Sequence, residues 1–418
     1  MLDFWFAESY NKFVSTVDLQ SFLGCFFVHP RQNKANEPMK KATYQQTKQH
    51  NRDLVLRTVF NNETVSRAEV ARVTGLTRTT VSDVVNGLLA EGLVDEVGRG
   101  ESIGGKSPIL LSVVADSRYL IGLNLGQEKF IGAIVNLRGE IKEMVEMPVH
   151  DDNGQNALEA VSQIISRLIR TKLKPIVAIG VGAPGLVNTR EGVVLNAVNL
   201  DWQDLPLGQL LQKKFKIPVS ILNDSQATAI GEYVYGGKNE GNLIVVNVKH
   251  GIGAGILING RLFQGDGGGA GEIGHVVVQE NGELCRCGKQ GCLETVSSAH
   301  AVLRQLNMTT IDQVQSALEA GDTTTRRIVA KGAHYLGTSL ANLIGTLNIQ
   351  KIVLTGDMTR LGNAWLDVVI SSMQDAALTR LSENTKVELG VLDYRACILG
   401  AAAYLLLDDY SLLFMREN

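Results

Sequence analysis

Three cysteines within eight residues, Cys285, Cys287 and Cys292, follow His275 by ten residues or more in the stretch GEIGHVVVQENGELCRCGKQGCLE, Gly271 to Glu294. Three thiolates and one imidazole are a full tetrahedral set for a structural zinc ion, with no position left for water. Gly282, Gly288 and Gly291 let so short a segment fold back around one ion. A disulfide or a buried cysteine cluster is the competing use, but a C-x-C pair has poor geometry for a disulfide. Carboxylates flank the ligands: Glu272 lies one helical turn before His275, and Glu294 follows Cys292 by two. If one His275 nitrogen binds metal, the other is left as a donor of fixed orientation. Two carboxylates and an N–H on a metal-clamped loop suit a polyol such as a sugar.

On these residues, G-E-I-G-H followed by C-x-C-G-x-x-G-C-x-E, the chain resembles the ROK family (repressors, open reading frames, kinases) from about Tyr119 onwards. Its members are bacterial sugar kinases and sugar-responsive repressors on an actin-like ATPase fold. The resemblance implies a sugar site. In the kinases an Asp after an Asn, at the end of a strand, is the general base for the sugar hydroxyl. Asn223 and Asp224 in NDSQATAIGE match that pattern, and Glu272, His275 and Glu294 match the other sugar contacts. The Pro184–Gly185 loop and Asn199 match segments that line the same cleft. Asp224 is a base only if phosphoryl is transferred; otherwise it accepts a hydrogen bond from a ligand hydroxyl.

The same resemblance marks the nucleotide site as degraded. Where the kinases carry a D-x-G-G-T-K-like turn, this chain reads Asn124-Leu125-Gly126-Gln127-Glu128-Lys129. Bulk and negative charge there oppose a triphosphate. The second phosphate loop reads Lys249-His250-Gly251 in place of G-T-G, and Gly356–Asp357 replaces a Gly-Gly at the adenosine end. Three departures argue for no ATP and no catalytic residue, with a bifunctional sugar kinase using Asp224 as the alternative.

Composition sets the frame for these sites. The 418 residues suffice for two or three domains, and 44% apolar with 20% charged content is that of an ordinary soluble protein. A net charge of −3 gives no global field for polyanions, so any nucleic-acid surface is local. Sparse cysteine use points to a reducing cytoplasm. Phe22–Val28 is too short to span a bilayer and lacks signal-peptide flanks, so no membrane insertion is expected. Residues 1–38 read as a poorly ordered extension.

A local basic segment does occur. From Lys40 to Ser82 there are eight Lys/Arg against three acids. Leu54, Val55, Val59 and Phe60 predict a first amphipathic helix. Ser66 caps a second, Arg67–Val73, with Glu69 completing a capping box, and the helix ends at Thr74–Gly75. A third begins after Thr77 and runs to about Glu91, with Val81, Val84, Val85, Leu88 and Leu89 inward. This is a helix-turn-helix whose Arg78, Thr79, Thr80, Ser82 and Asp83 lie toward the exposed N-terminal end, where base edges are read. LVDEVGRGESIGGKSPILLSV follows as strand, loop and strand: a wing carrying Arg99 and Lys106. Arg67, Arg78, Thr79, Thr80, Ser82, Arg99 and Lys106 are the DNA-binding candidates. A small dimerisation bundle with incidental basic residues is the competing reading. The order also resembles the winged helix that precedes the sugar domain in ROK repressors.

The expected fold is therefore α/β: residues 39–115 a winged helix-turn-helix, then a two-lobed actin-like ATPase (ROK) domain with lobes at 116–235 and 236–418. The expected partners are operator DNA, a monosaccharide of the xylose or glucose type, and further copies of the chain as a homodimer or tetramer.

Overall fold

The computed structural model describes residues 43–101, 107–149, 154–237, 241–408, 410 and 413. The expected extension at 1–38 and Lys106 of the wing lie outside them. The chain divides into two compact units, residues 1–50 and 51–418. The described part of the first opens helix α1 (Tyr44–Phe60). There Thr43 Oγ1 accepts from the Gln46 N–H at 3.2 Å, and Thr43 N–H donates to the Gln46 side chain at 2.8 Å.

Within the second unit, α1 continues with Val55, Leu56 and Val59 fully buried, as the apolar spacing requires. After it come β1 (Val65–Ser66), α2 (Arg67–Thr74), α3 (Arg78–Ala90), β2 (Val94–Arg99) and β3 (Ile109–Val113). The three strands pair antiparallel in the order β1-β3-β2. Ser66 caps α2 by accepting from the Glu69 N–H at 3.2 Å, worth about 1 kcal/mol. The Glu69 carboxylate does not close the expected box; it turns to Arg72, with Nε at 2.9 Å. An ion pair one turn along the exposed face competes better than a reach back to the cap. Gly75, at φ 70°, ends α2 in the left-handed conformation. Thr77 caps α3 through the Thr80 N–H, and Val81, Val85 and Leu88 are buried.

The first lobe holds β4 (Tyr119–Leu125), β5 (Lys129–Asn136), β6 (Ile141–Pro148), α4 (Gly154–Ile169), β7 (Ile176–Ala183), β8 (Leu186–Asn188), β9 (Val193–Ala197), β10 (Trp202–Leu205), α5 (Leu207–Phe215) and β11 (Val219–Asn223). Its main sheet has the order β11-β7-β4-β5-β6, an antiparallel meander extended by parallel β7 and β11. Helix α6 (Asp224–Val234) then leads to β12 (Leu243–Val248), β13 (Ile252–Ile258) and β14 (Arg261–Phe263). Past the cysteine loop come α7 (Glu294–Ser297), α8 (Ala299–Leu306), α9 (Ile311–Glu319), α10 (Thr323–Leu347), β15 (Lys351–Thr355), α11 (Asn363–Ala376), α12 (Thr379–Ser382), β16 (Lys386–Leu389) and α13 (Arg395–Asp408). The second sheet, β14-β13-β12-β15-β16, repeats the plan of the first. Repetition of a three-stranded meander plus two parallel strands is the two-lobed arrangement expected.

The final helix does not stay with the second lobe, where chain order puts it. It packs on β4 and β7 of the first sheet and along α6. Glycine permits this approach: a Cβ on Gly122 would lie 2.0 Å from Ile398 O, and one on Gly180 1.7 Å from Ala401 O. Past α13, Tyr410 meets Phe60 edge-on, with ring centroids 5.7 Å apart. Val55, Leu56 and Val59 share one apolar cluster with Leu120, Ile131, Ala133, Leu399 and Tyr410. Each such buried side chain stabilises by about 1.5–3 kcal/mol. Winged helix and first lobe are therefore joined through a common core.

Candidate functional site

The four predicted ligands converge. The donor atoms of His275, Cys285, Cys287 and Cys292 all lie within 4.8 Å of one another. His275 Nδ1 to Cys285 Sγ and Cys287 Sγ to Cys292 Sγ are each 3.6 Å. A tetrahedron with metal–sulfur bonds of about 2.3 Å has edges of roughly 3.8 Å, so the set fits a zinc-sized ion. Burial, reinforced by the neighbouring thiols, pushes Cys292 up to about 12. Three thiols this close cannot ionise together without a cation. Gly288 (φ 86°) and Gly291 (φ 75°) make the reversal, and a Cβ on Gly291 would sit 1.8 Å from Gln279 O.

With Nδ1 turned to the cysteines, His275 Nε2 lies 3.9 Å from Glu272 Oε2. The two imidazole nitrogens thus divide between the metal cluster and the cleft. Burial and the charges of Asp224 and Glu294 raise Glu272 to about 7. Asp224 is the first residue of α6, and its Oδ1 accepts from the Ser225 N–H at 2.8 Å. Burial raises its pKa, while Lys249, the Ser225 hydrogen bonds and Arg286 oppose the shift. Its other oxygen has no protein partner among the described residues and is available to a ligand hydroxyl.

Two expected sugar contacts already have protein partners. The Asn223 side chain caps α6, accepting from the Ser225 and Gln226 N–H groups at 2.9 and 3.2 Å, and donates to Gly185 O at 2.9 Å. It ties the Pro184–Gly185 loop to the start of α6 and so positions Asp224. Glu294 is buried, its Oε2 accepting from the Ile252 N–H at 3.1 Å and its Oε1 from Arg286 Nε at 2.9 Å.

Arg286 is the candidate residue that motif reading passes over. It occupies the unspecified position of C-x-C. With both neighbouring side chains turned into the His/Cys cluster, the residue between them is directed away from it. Its guanidinium pairs with Glu294, and Nη1 reaches Asn199 Oδ1 of the first lobe at 3.4 Å. Gly251 leaves the room: a Cβ there would lie 2.5 Å from Glu294 Oε2 and 2.8 Å from Arg286 Nη2. A cavity of about 310 Å³ opens beside this pair, lined by Gly126, Gln127, Pro184, Asn199, His250 and Arg286. Its lining combines the Pro184 and Asn199 segments with the Gly126–Gln127 and His250 loops, and does not include Asp224, Glu272 or Glu294.

Between the β4–β5 turn and Asp357, like charges interact. Desolvation in the cleft raises Asp357, with Glu128 of the β4–β5 turn adding to the shift and Lys249 and Arg360 opposing it. His250 stacks on His300 with ring centroids 4.2 Å apart.

On the winged helix, Arg78 and Thr79 are exposed in the first turn of α3, and Ser82 is partly so. Arg99 is exposed at the end of β2. Two candidates have structural partners instead. The Thr80 hydroxyl pairs with that of Thr77 at 2.9 Å within the cap, and Arg67 Nη2 is held by Glu96 at 2.9 Å. A second missed residue is Arg138, in the β5–β6 turn. It donates to Phe60 O at 2.8 Å, Asn62 O at 3.0 Å and Ser112 Oγ at 3.1 Å, bridging first lobe and winged helix. A turn arginine carries no periodic signal, so only the fold reveals it.

Comparison with known proteins shows the family and the fold. The profile of the ROK family matches residues 120–408. The xylose repressor of Caldicellulosiruptor bescii is 32% identical over 87% of this chain and 97% of its own length. A glucokinase of Halalkalibacterium halodurans is also 32% identical, over 68% of this chain and 93% of its own length. The crystal structure of a ROK family transcriptional regulator, a homologue of the E. coli MLC protein, superposes with a TM-score of 0.77 at 25% identity. It covers 88% of this chain and 98% of that one. Among the described residues, no helix is long and apolar enough to cross a membrane.

Proposed function

The chain belongs to the ROK family, and on that footing we propose that it is a sugar-responsive transcriptional repressor of carbohydrate-utilisation genes. One observation carries the reading: the winged helix and the first lobe, which supplies Asp224, share a core and the Arg138 bridge. The relatives point the same way, because the repressor aligns with a larger share of this chain than the glucokinase does.

A monosaccharide of the xylose or glucose type would lie in the cleft with hydroxyls donating to Asp224, Glu272 and Glu294. His275 Nε2 would be oriented beside them, and Asn223 would hold Asp224 in place. Zinc at His275, Cys285, Cys287 and Cys292 would supply the positive charge that lets the thiolates ionise, and so pin the loop that carries Arg286 and Glu294. Sugar that prefers the closed cleft shifts the population of lobe arrangements, and the common core passes that shift to the DNA-binding face. Reciprocity then requires operator DNA to weaken sugar binding. As a homodimer, the protein would present two recognition helices to a palindromic operator.

The alternative is a sugar kinase that also binds DNA, favoured by the position of Asp224 at the start of α6. Calorimetric titration of zinc-replete protein with a panel of sugars and with Mg·ATP separates the two. Sugar binding without ATP binding is expected. Binding of Mg·ATP with turnover that vanishes in Asp224→Asn overturns the repressor-only reading.

A further inference from the structure

We infer that Asp83 reads a cytosine in the operator, accepting a hydrogen bond from its exocyclic amino group in the major groove. The inference rests on the DNA-binding reading above. Thr79, Asp83 and Asn86 are spaced i, i+4 and i+7 along α3 and are all exposed. They form the face opposite the buried Val81, Val85 and Leu88, which is the face a recognition helix offers to base edges.

A carboxylate on that face calls for a reason. Every phosphate of the duplex repels it, and Asp is among the weaker helix formers. Among the described residues nothing compensates. Asp83 makes no ion pair among the described residues. As the sixth residue of α3 it lies beyond the first turn, where an acid gains from the helix dipole. It caps nothing, since Thr77 holds that place. The surrounding segment is otherwise basic, so an acid here lowers affinity for DNA in general.

Selectivity is what such a residue gains. Of the base edges in the major groove, cytosine presents an amino donor with no acceptor on the same base beside it. Adenine sets its amino group next to N7, whose lone pair repels a carboxylate. Guanine and thymine offer acceptors, which Asp83 rejects. Asp83 thus acts by making wrong sequences worse as well as by making one contact. Thr79 and Asn86, one turn to either side, are placed to read its neighbours.

The test is selection of bound duplexes from a random-sequence pool by the full-length, zinc-replete protein and by Asp83→Asn and Asp83→Ala, followed by sequencing. The wild type is expected to enrich sites with cytosine at one position per half-site, by about tenfold over other bases. Asp83→Ala loses that preference, and Asp83→Asn moves it toward adenine, whose N6 and N7 an amide can pair with. Both variants bind random duplex more tightly than the wild type, and unchanged melting temperatures show that the helix is intact. The same base preference in all three proteins overturns the assignment of Asp83 and leaves the repressor reading standing. Failure of the wild type to enrich any site overturns both.

Discussion

Arg286 Nε donates to Glu294 Oε1 at 2.9 Å, and the two residues belong to different functions of one loop. Arg286 sits between two cysteines of the His/Cys cluster; Glu294 is one of the proposed sugar contacts. The pair aims a buried carboxylate that would otherwise repel Glu272 and Asp224, and it spans the cleft to Asn199. The cysteine loop and the proposed sugar contacts are thereby mechanically linked.

Arg286→Gln should therefore weaken sugar binding by about tenfold, roughly the loss of one charge-assisted hydrogen bond. The metal ligands are untouched, so one metal per chain should remain. Calorimetry and metal analysis on the same preparation check this. Loss of metal together with sugar binding would show that Arg286 serves the loop fold instead.

Cys287→Ser removes an exposed ligand of the four-donor cluster. Metal content should fall and the sugar response disappear, because the loop carrying Arg286 loses its anchor. Operator affinity in the absence of sugar should persist, since the described DNA-face candidates lie on the winged helix and outside this loop. Intact regulation in the variant sinks the proposed role of the metal.

His250 gives a pH dependence of defined sign. Desolvation, then the charges of His300 and Arg286, hold its pKa down to about 4 against an ordinary 6.5. Above pH 6.5 the ring is neutral in both folded and unfolded states and has no effect. Between about 6.5 and 4 the unfolded chain takes up a proton that the folded one refuses, so stability falls with pH. The ring lies at the surface, so the loss is about 1 kcal/mol or less after screening. His250→Asn should flatten the melting-temperature profile in that window relative to wild type; superimposable profiles would falsify the assignment.

Arg138→Ala leaves Phe60 O and Asn62 O without their charged donor. Stability should drop by about 2 kcal/mol. The more telling readout is coupling. DNA affinity without sugar should be nearly retained, while the ratio of affinities with and without sugar should shrink toward one. An unchanged ratio would mean that the signal travels by the α1–Tyr410 contact alone.

The sequence by itself determined the chemistry. Closely spaced His and Cys favour a metal, Ser favours a helix cap and Gly favours a reversal, so the ligand set, the cap Ser66, and Gly288 and Gly291 were legible one by one. Alternating apolar runs likewise announced the strands of both lobes, because a two-residue period is a local property. What tertiary structure alone decided is which side chains are already committed. Asn223 caps a helix, Arg67 and Thr80 have internal partners, and Arg286 is turned from the cysteine cluster onto Glu294 across Gly251. Only the fold brings α13 back to Gly122 and Gly180, and Arg138 to the winged helix. Those contacts join residues distant in the chain, and no local pattern encodes a partner that only packing supplies.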